Sequence, residues 1–246
     1  MLEFPKNKVV FMEILDFILI VIFVFLMIVL VIGFNRQMMQ KNKEREERFK
    51  KYKKENKMSK KVLIPLAQGF EEAEFIGIAD VLKRAKELNP DLEVVIASLN
   101  SELLVKGANG ISIKADCSIE DVDIENLDAI ALAGGFEGMM NLKNSNVILN
   151  IIKQLHSKNK IVAAICASPI VLNEAGVLEG EFACYPSCEV GLNGNRVNKA
   201  VVVNKNVITS AGPATAILFG LELAKKLCGD EIYQKLYEGM LLPLTK

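Results

Sequence analysis

The sequence predicts an α/β protein whose mainly parallel sheet carries helices on both faces, preceded by one transmembrane helix. Two observations support this fold class. Short apolar runs alternate with amphipathic helical patterns from residue 62 onward, which is typical of a parallel sheet covered by helices. An uncharged run, Phe17–Phe34, stands apart from that alternation. The composition, 51% hydrophobic and 24% charged, is that of a globular protein with one additional apolar segment.

Residues 14–34 are predicted to form the transmembrane helix, after a short tail at 1–13. The eighteen uncharged residues Phe17–Phe34 would span ~27 Å at ~1.5 Å per residue, close to the ~30 Å hydrocarbon core of a bilayer. A cleaved signal peptide is one alternative, but it needs small residues at its cleavage site, and Gly33 is the only one in this run. A buried core helix is another alternative, which the length of the uncharged run disfavours.

Residues 35–60 are predicted to be a basic helical tether. Positions 36–61 contain twelve Lys and Arg residues against four Glu, so the positive-inside rule predicts a single-pass membrane protein with a cytoplasmic globular domain. Pairs such as Glu44 and Arg48, four residues apart, favour a solvated helix. Attraction to anionic lipid headgroups and a simple spacer role are equally open.

The remaining chain is acidic. Residues 62–246 contain sixteen Lys and Arg residues against twenty-three Asp and Glu, a net charge of −7. An acidic domain on a basic tether does not have the charge distribution of a nucleic-acid binder, so we expect no nucleic-acid partner.

The first elements of the α/β domain, predicted at 61–246, follow in order. Val62–Leu66 is an apolar run that predicts a buried strand. Glu71–Leu88 has apolar residues at helical spacing and ends at the helix-breaking sequence 89–91. Leu92–Ser98 predicts a second strand, and two glycines between short apolar runs predict a small hairpin at 103–113.

The central elements continue the alternation. Asp128–Leu132 predicts a strand that ends at Gly134-Gly135, and Asn144–Ser157 has the pattern of an amphipathic helix. Ile161–Ile165 predicts a buried strand that ends at Cys166. The remaining predicted elements are three short strands and two closing helices: Phe182–Cys184, Ala200–Val203, Val207–Thr209, Thr215–Leu227 and Asp230–Met240.

The cysteines give no sign of a disulfide framework or a metal site. There are five, an odd number at low density, which indicates free thiols in a reducing compartment. Cys184 and Cys188 are four residues apart, but the single histidine, His156, is remote from them, which disfavours zinc. We interpret Cys184 and Cys188 as packing residues and His156 as a surface residue.

Three predicted strands end in turns that contain groups able to take part in catalysis or ligand binding. The first runs into Gln68–Glu74, the strand at 128–132 runs into Gly134-Gly135, and the strand at 161–165 runs into Cys166–Pro169. Ligands of open parallel sheets bind outside the carboxyl ends of the strands. We therefore expect these turns to meet at one edge of the sheet, although they are far apart in sequence.

Cys166 is the strongest candidate for a reactive group. Ser168 is predicted as the N-cap and Pro169 as the first residue of a helix that ends at Gly176. A thiol on such an elbow faces the positive end of a helix, which predicts a pKa lowered from ~8.5 towards ~3.5–7.5. Backbone N–H groups of Gly134-Gly135 could approach the sulfur because no Cβ blocks them.

Each of these features also has an ordinary structural interpretation. A cysteine within Ala-Ala-Ile-Cys-Ala is often just a small buried apolar residue. Glu71, Glu72 and Glu74 begin a predicted helix, where the dipole favours carboxylates in any case. The Gly134-Gly135 pair could simply form a tight turn.

Four sequence motifs resemble the ThiJ/PfpI superfamily, in the branch of the Parkinsonism-associated deglycase and its bacterial ThiJ-like relatives. They occur in the expected order from about Lys61 to the C-terminus: Leu66–Glu74, Gly134-Gly135, Ala163–Pro169 and Ser210–Thr215. The resemblance does not cover the predicted membrane segment or the tether.

The resemblance implies a flavodoxin-like sandwich that usually forms a homodimer and needs no cofactor. It also implies that Cys166 is the nucleophile, that a protonated Glu74 hydrogen-bonds its thiolate and that the N–H groups of Gly135 and Ala167, beside Gly134, bind an oxyanion. Family activities are glutathione-independent conversion of methylglyoxal to lactate, repair of early glycation adducts, chaperoning and redox sensing.

Two departures from the family pattern narrow this expectation. Protease-like members have a histidine directly after the nucleophile, where this chain has Ala167, so we do not expect a peptidase. The deglycase has a histidine before a proline near its site, where this chain has Tyr185-Pro186, a possible pocket element closer to the bacterial members. With no histidine at either position, Glu74 is the acid/base candidate among the residues of these motifs.

Three functional hypotheses follow. In the first, Cys166 attacks the aldehyde of methylglyoxal or of an early glycation adduct, and Glu74 transfers protons. In the second, Cys166 is oxidised to a sulfinate, and the protein acts as a redox sensor or chaperone (holdase) without turnover. In the third, the protein is a membrane-tethered scaffold with a vestigial site, which the joint presence of Cys166 and Glu74 disfavours.

Overall fold

The computed structural model describes residues 32–43 and 59–245, together with Met27 and Arg45. The chain divides into two units, 1–57 and 58–246. Residues 32–43 of the first unit are helical. The predicted tail at 1–13 and most of the predicted membrane segment and tether lie outside the described residues. Within the described part of the chain, no helix has both the length and the apolar character needed to cross a bilayer.

The second unit alternates strands and helices along the chain. Its strands are β1 (Lys60–Leu66), β2 (Leu92–Ser98), β3 (Leu104–Lys106), β4 (Ser112–Lys114), β5 (Cys117–Ser118), β6 (Ala129–Leu132), β7 (Ile161–Ile165), β8 (Glu181–Phe182), β9 (Asn195–Arg196), β10 (Val201–Asn204) and β11 (Val207–Ser210). Its α-helices are α1 (Glu72–Leu88), α2 (Phe136–Lys143), α3 (Asn146–Ser157), α4 (Pro169–Glu174), α5 (Ala216–Cys228) and α6 (Asp230–Gly239). Short 3-10 turns cover Ile119–Asp121, Pro213–Thr215 and Leu242–Thr245.

Seven strands form the main sheet in the order β10-β11-β7-β6-β1-β2-β5. Neighbouring strands are parallel except for β10, which is antiparallel to β11. Val62 of β1 pairs with Val94 of β2 on one side and with Ala129 of β6 on the other. The chain therefore reverses its direction of strand addition between β1 and β6, and such a switch point is where open α/β sheets bind ligands.

Alternate side chains of the central strands build two cores. On β1, Val62, Ile64 and Leu66 point to the face covered by α1, α5 and α6, whereas Leu63 points to the face covered by α2, α3 and α4. Because both faces are buried, these strands read as continuous apolar runs. The predicted mainly parallel sheet with helices on both faces is confirmed.

The structure adds elements that the sequence did not predict. Helix α2 has only eight residues, including Gly138, which is too short for a clear helical period. The edge strand β5 contains two residues, too few for an alternation pattern. The predicted strand Phe182–Cys184 ends earlier, because Glu181–Phe182 pairs only with the equally short β9.

Candidate active site

The three turns expected to carry chemistry lie at the carboxyl edge of the adjacent strands β1, β6 and β7. The Glu71 N–H donates to the Gly134 carbonyl at 3.0 Å, which joins the first turn to the second. The third turn lies against the second, since a Cβ on Gly134 would be only 2.8 Å from the Cβ of Cys166. The predicted convergence of the three turns is therefore confirmed.

Cys166 occupies a strained elbow directly after β7. Its φ of 63° lies in the left-handed region, which residues other than glycine adopt at a cost of about 1–3 kcal/mol. Its N–H donates to the Ser210 carbonyl at 3.0 Å, and its carbonyl accepts from the Tyr185 N–H at 2.9 Å. Because backbone strain of this kind persists only where the surroundings impose it, the elbow is a candidate functional position.

The helix that follows the elbow differs from the prediction at its cap. Pro169 is the first residue of α4, as predicted, but the Ser168 side chain makes no capping hydrogen bond. Its hydroxyl instead donates to the Ala133 carbonyl at 2.6 Å and is fully buried. Ser168 thus connects the elbow to the end of β6 and does not cap the helix.

Glu74 lies in the first turn of α1, and its side chain is fully buried beneath the elbow. Its Oε2 accepts from the Gly134 N–H at 2.7 Å, whereas Oε1 is buried without a partner of hydrogen-bonding geometry. Burial raises the pKa of Glu74 to about 7, against opposing interactions with the Cys166 thiol and the Gly134 N–H. The carboxyl is therefore poised to carry a proton near neutral pH.

The pKa of Cys166 moves in the direction opposite to the prediction. Burial raises the thiol pKa, and a negative charge on Glu74 raises it further. The Ala167 N–H lowers it, as the helix-end argument expects, but with a smaller effect. The lowered thiol pKa expected from the sequence is wrong while Glu74 is charged, because the local peptide dipoles do not compensate for burial beside a carboxylate.

The two glycines after β6 are required by close packing. A Cβ on Gly134 would lie 2.6 Å from Glu74 Oε2, so a side chain there would displace the carboxyl. Gly135 has a φ of 84° and would place a Cβ 2.7 Å from the Glu71 nitrogen. The pair is thus more than a tight turn, since it lets the backbone pass between the carboxyl and the thiol.

An open cavity of about 470 Å³ lies above the elbow. Its lining residues are Glu71, Asn109, Gly135, Phe136, Cys166, Ala167, Tyr185, Cys188 and Pro213. Neither the Gly135 N–H nor the Ala167 N–H donates to an oxygen of another described residue, and the Ala167 N–H instead interacts with the Cys166 sulfur. Four of the predicted site residues thus line the cavity, Glu74 and Gly134 lie beneath it, and the exposed Pro186 does not line it.

Sequence reasoning missed Asn109, whose place depends on a distant carboxylate. Glu72 Oε1 accepts from the Asn109 N–H at 2.7 Å and from the Ile111 N–H at 3.2 Å, and Glu72 Oε2 accepts from Asn109 Nδ2 at 2.9 Å. Burial raises the pKa of Glu72, but the hydrogen bond from its own backbone N–H and those from Asn109 and Ile111 together outweigh burial, and the pKa is lowered overall. Glu72 therefore braces the β3–β4 loop over the cavity, which no local pattern could indicate.

His156 is far from the cavity. It lies at the end of α3, where its carbonyl accepts a hydrogen bond from Asn206 Nδ2. Asn206 directly precedes β11, so this contact lies at the amino ends of the parallel strands, away from the cavity at their carboxyl ends. Because His156 is the single histidine of the sequence, no imidazole is available to Cys166.

Comparisons with known proteins identify a matching family and similar structures. The DJ-1/PfpI family model matches residues 60–226. Protein dj-1beta of Drosophila melanogaster is 38% identical over 189 residues, which are 75% of this chain and 98% of that protein. The crystal structure of Drosophila melanogaster DJ-1beta superposes with a TM-score of 0.70 over 75% of this chain and 98% of that chain. The glutathione-independent glyoxalase DJ-1 of Schizosaccharomyces pombe is 27% identical over 74% of this chain and 99% of that protein.

Proposed function

Because the chain belongs to the DJ-1/PfpI family, we propose that it acts on methylglyoxal or on early glycation adducts by covalent catalysis at Cys166 with Glu74. The relative from Schizosaccharomyces pombe is named a glutathione-independent glyoxalase, and we extend that reaction class to this chain. The observation that carries the proposal is the fully buried Glu74 carboxyl, whose pKa is raised to about 7. It lies directly beneath the Cys166 thiol, which lines the cavity on a strained backbone.

The nucleophile, the Cys166 thiolate, is produced when the thiol transfers its proton to the Glu74 carboxylate. With Glu74 ionised, its charge and burial keep Cys166 protonated. When the proton moves to Glu74, the repulsion disappears and the carboxylic acid can donate a hydrogen bond to the thiolate. The unpartnered Oε1 is an atom that could carry that proton.

The thiolate then attacks the aldehyde carbon and forms a hemithioacetal. Its oxygen can accept from the Gly135 and Ala167 N–H groups, which have no oxygen acceptor among the described residues. Glu74 then helps to move the hydrogen of the aldehyde carbon to the neighbouring ketone carbon, which gives a 2-hydroxy thioester. Water hydrolyses the thioester to a hydroxy acid and restores the Cys166 thiol.

The test is lactate formation from methylglyoxal by the full chain in a mild detergent. We expect Cys166→Ser to lose at least ~100-fold in turnover, since a serine hydroxyl at this position has no base strong enough to activate it. Cys117→Ser, on the edge strand β5, is the matched thiol control and should retain the wild-type rate. Wild-type turnover by Cys166→Ser would contradict the proposal.

A redox-sensing or holdase role through oxidation of Cys166, without turnover, is the second candidate. The accessible thiol beside the Gly135 and Ala167 N–H groups favours it, because the same donors could stabilise a sulfinate. Mass spectrometry after mild peroxide treatment should then find oxygen added at Cys166. Unmodified Cys166 at peroxide doses that oxidise the other thiols would exclude this role.

A membrane anchor through residues 14–34, with the domain on the cytoplasmic side, also stays a proposal. It rests on the uncharged run and the basic residues that follow it. Extraction of membranes at alkaline pH should leave the full chain in the pellet and release a chain lacking residues 14–34. A homodimer is proposed on family grounds, and the mass of the detergent-solubilised chain in solution would test it.

A further inference from the structure

Cys188 is a second thiol on the wall of the candidate active site. The sequence suggested only a packing role, but the half-buried Cys188 side chain lines the same cavity as Cys166. A thiol that shares a cavity with a reactive cysteine can react with it once that cysteine is oxidised.

A tight turn brings Cys188 back towards the elbow. The Tyr185 N–H donates to the Cys166 carbonyl at 2.9 Å, and the Cys188 N–H donates to the Tyr185 carbonyl at 3.0 Å. Pro186 and Ser187 occupy the central positions of this turn, and Ser187 has a φ of 75°, as a type II turn requires. The turn therefore links both cysteines through two successive backbone hydrogen bonds, although they are far apart in sequence.

The other thiols have no comparable position. Cys184 is fully buried, and its sulfur donates towards Glu189 Oε2 at 3.8 Å instead of lining the cavity. Cys117 lies on the edge strand β5, separated from β7 by three strands, and Cys228 ends α5. Cys188 is thus the thiol that shares the cavity wall with Cys166 among the described residues.

Electrostatics agree with this proximity. A charge on Cys188 contributes to raising the pKa of Cys166, after the larger effects of burial and Glu74. Burial first, then the charges of Glu189 and Glu74, raise the pKa of Cys188 itself. Because the pKa of both thiols is raised, the order of reaction depends on Glu74, which takes the proton of Cys166 in the proposed mechanism.

We propose that Cys188 is the resolving thiol of Cys166, so that oxidation of the site ends in an intramolecular Cys166–Cys188 disulfide. A hydroperoxide transfers one oxygen to the Cys166 thiolate, which becomes a sulfenic acid while the peroxide is reduced to an alcohol or water. The Cys188 sulfur then attacks the Cys166 sulfur, and the sulfenic oxygen leaves as water with the proton of Cys188. A dithiol reductant restores both thiols.

This inference rests on the proposed reactivity of Cys166 and adds a recoverable oxidised state to it. Without a resolving thiol, a sulfenic acid reacts with further peroxide to a sulfinic acid, which ordinary thiols do not reduce. The disulfide would interrupt aldehyde chemistry during oxidative exposure and preserve the nucleophile for later use.

The experiment treats the full chain in mild detergent with an equimolar amount of hydrogen peroxide, followed by alkylation and peptide mapping without reduction. We expect the wild type to give a Cys166–Cys188 linked peptide that dithiothreitol removes. Cys188→Ser should give no linked peptide and should accumulate sulfinic acid at Cys166 at least ~10-fold faster. Cys117→Ser is the control and should form the linkage as the wild type does.

Three outcomes would overturn the inference. They are the absence of the linked peptide in the wild type, equal rates of sulfinic acid formation in the wild type and Cys188→Ser, and linkage only between two chains on a non-reducing gel. Methylglyoxal turnover by the reduced wild type is measured in parallel. Turnover without linkage removes only this inference, whereas linkage without turnover removes only the proposed function.

Discussion

Glu74 and Cys166 form a coupled pair in which each group changes the charge that the other can carry. The carboxyl is fully buried, one of its oxygens has no hydrogen-bond partner, and its pKa is raised to about 7. The thiol pKa is raised by burial and by that carboxylate. A pair of this kind titrates as a unit, and the burial that suits it to proton transfer also costs folding free energy.

That cost predicts a pH-dependent effect of Glu74→Gln on stability. The folded chain keeps the Glu74 proton up to about pH 7, whereas the ordinary value is 4.5. Stability from this group is thus complete below the ordinary pKa and is lost as the pH rises through the folded value. We expect Glu74→Gln to stabilise the chain by about 2–3 kcal/mol near pH 8 and to change little near pH 5, measured by denaturant unfolding. Equal effects at both pH values would contradict the raised pKa.

Gly134 predicts a sharp steric effect. An alanine Cβ would lie 2.6 Å from Glu74 Oε2 and 2.8 Å from the Cβ of Cys166, so one of the two must move. We expect Gly134→Ala to cost about 1–3 kcal/mol in the free energy of unfolding and to abolish most methylglyoxal turnover. Gly239→Ala is the control, because nothing lies within 4 Å of the added Cβ. A neutral Gly134→Ala would mean that the turn is looser than described.

Among the elements, the loop of the β3–β4 hairpin is joined to α1 by one carboxylate. Glu72 of α1 accepts three hydrogen bonds from Asn109 and Ile111 and holds their loop over the cavity. Because the hairpin strands contain only three residues each, the backbone pairing within them is short. The position of Asn109 is therefore set by α1 as much as by the hairpin itself.

Glu72→Gln should loosen this loop without unfolding the domain. The neutral amide cannot accept all three hydrogen bonds, and a hydrogen bond to a charged group contributes about 1.5–3 kcal/mol against about 0.5–1.5 kcal/mol for a neutral one. We expect the amides of Asn109 and Ile111 to exchange hydrogen roughly tenfold faster or more, as followed by mass spectrometry. Glu87→Gln, an exposed position on the same helix, should leave their exchange unchanged. Unchanged exchange in Glu72→Gln would show that other contacts hold the loop.

Long elements with a clear period could be predicted from the sequence, and short elements could not. β2 and β7 have the predicted bounds, and α1 begins one residue later than predicted, because each has a sustained pattern and a definite end signal. α2 and β5 have no such pattern, and their residues adopt these conformations through packing in the domain. The same limit explains Asn109 and Cys188, whose roles depend on partners far away in sequence.

In the whole molecule, membership of the DJ-1/PfpI family confirms the resemblance given by four sequence motifs. Parallel topology allowed the convergence of Glu74, Gly134 and Cys166 to be predicted, because each follows a strand. The balance between burial and local dipoles at Cys166 could not be predicted, since it depends on how deeply the surrounding chain covers the thiol.

The two-sided core predicts where the domain is least tolerant of truncated side chains. Ile130 of β6 is fully buried in the core on the α2–α4 face. We expect Ile130→Ala to cost about 2–5 kcal/mol in the free energy of unfolding, because it removes apolar contacts and leaves a cavity. Ile111→Ala, where the side chain is 58% exposed, should stay within about 0.5 kcal/mol of the wild type. Similar losses for both variants would contradict the described burial.

The hydrogen bond from the Cys166 N–H to the Ser210 carbonyl has a consequence for biosynthesis. Ribosomes deliver β7 before β11, so a nascent chain reaches the elbow well before its partner strand exists. Until Ser210 leaves the exit tunnel, the outer edge of β7 has no neighbour and the left-handed backbone of Cys166 lacks one of the two bonds that hold it. The backbone geometry that positions the Cys166 thiol is therefore completed late in translation, after most of the domain has already emerged.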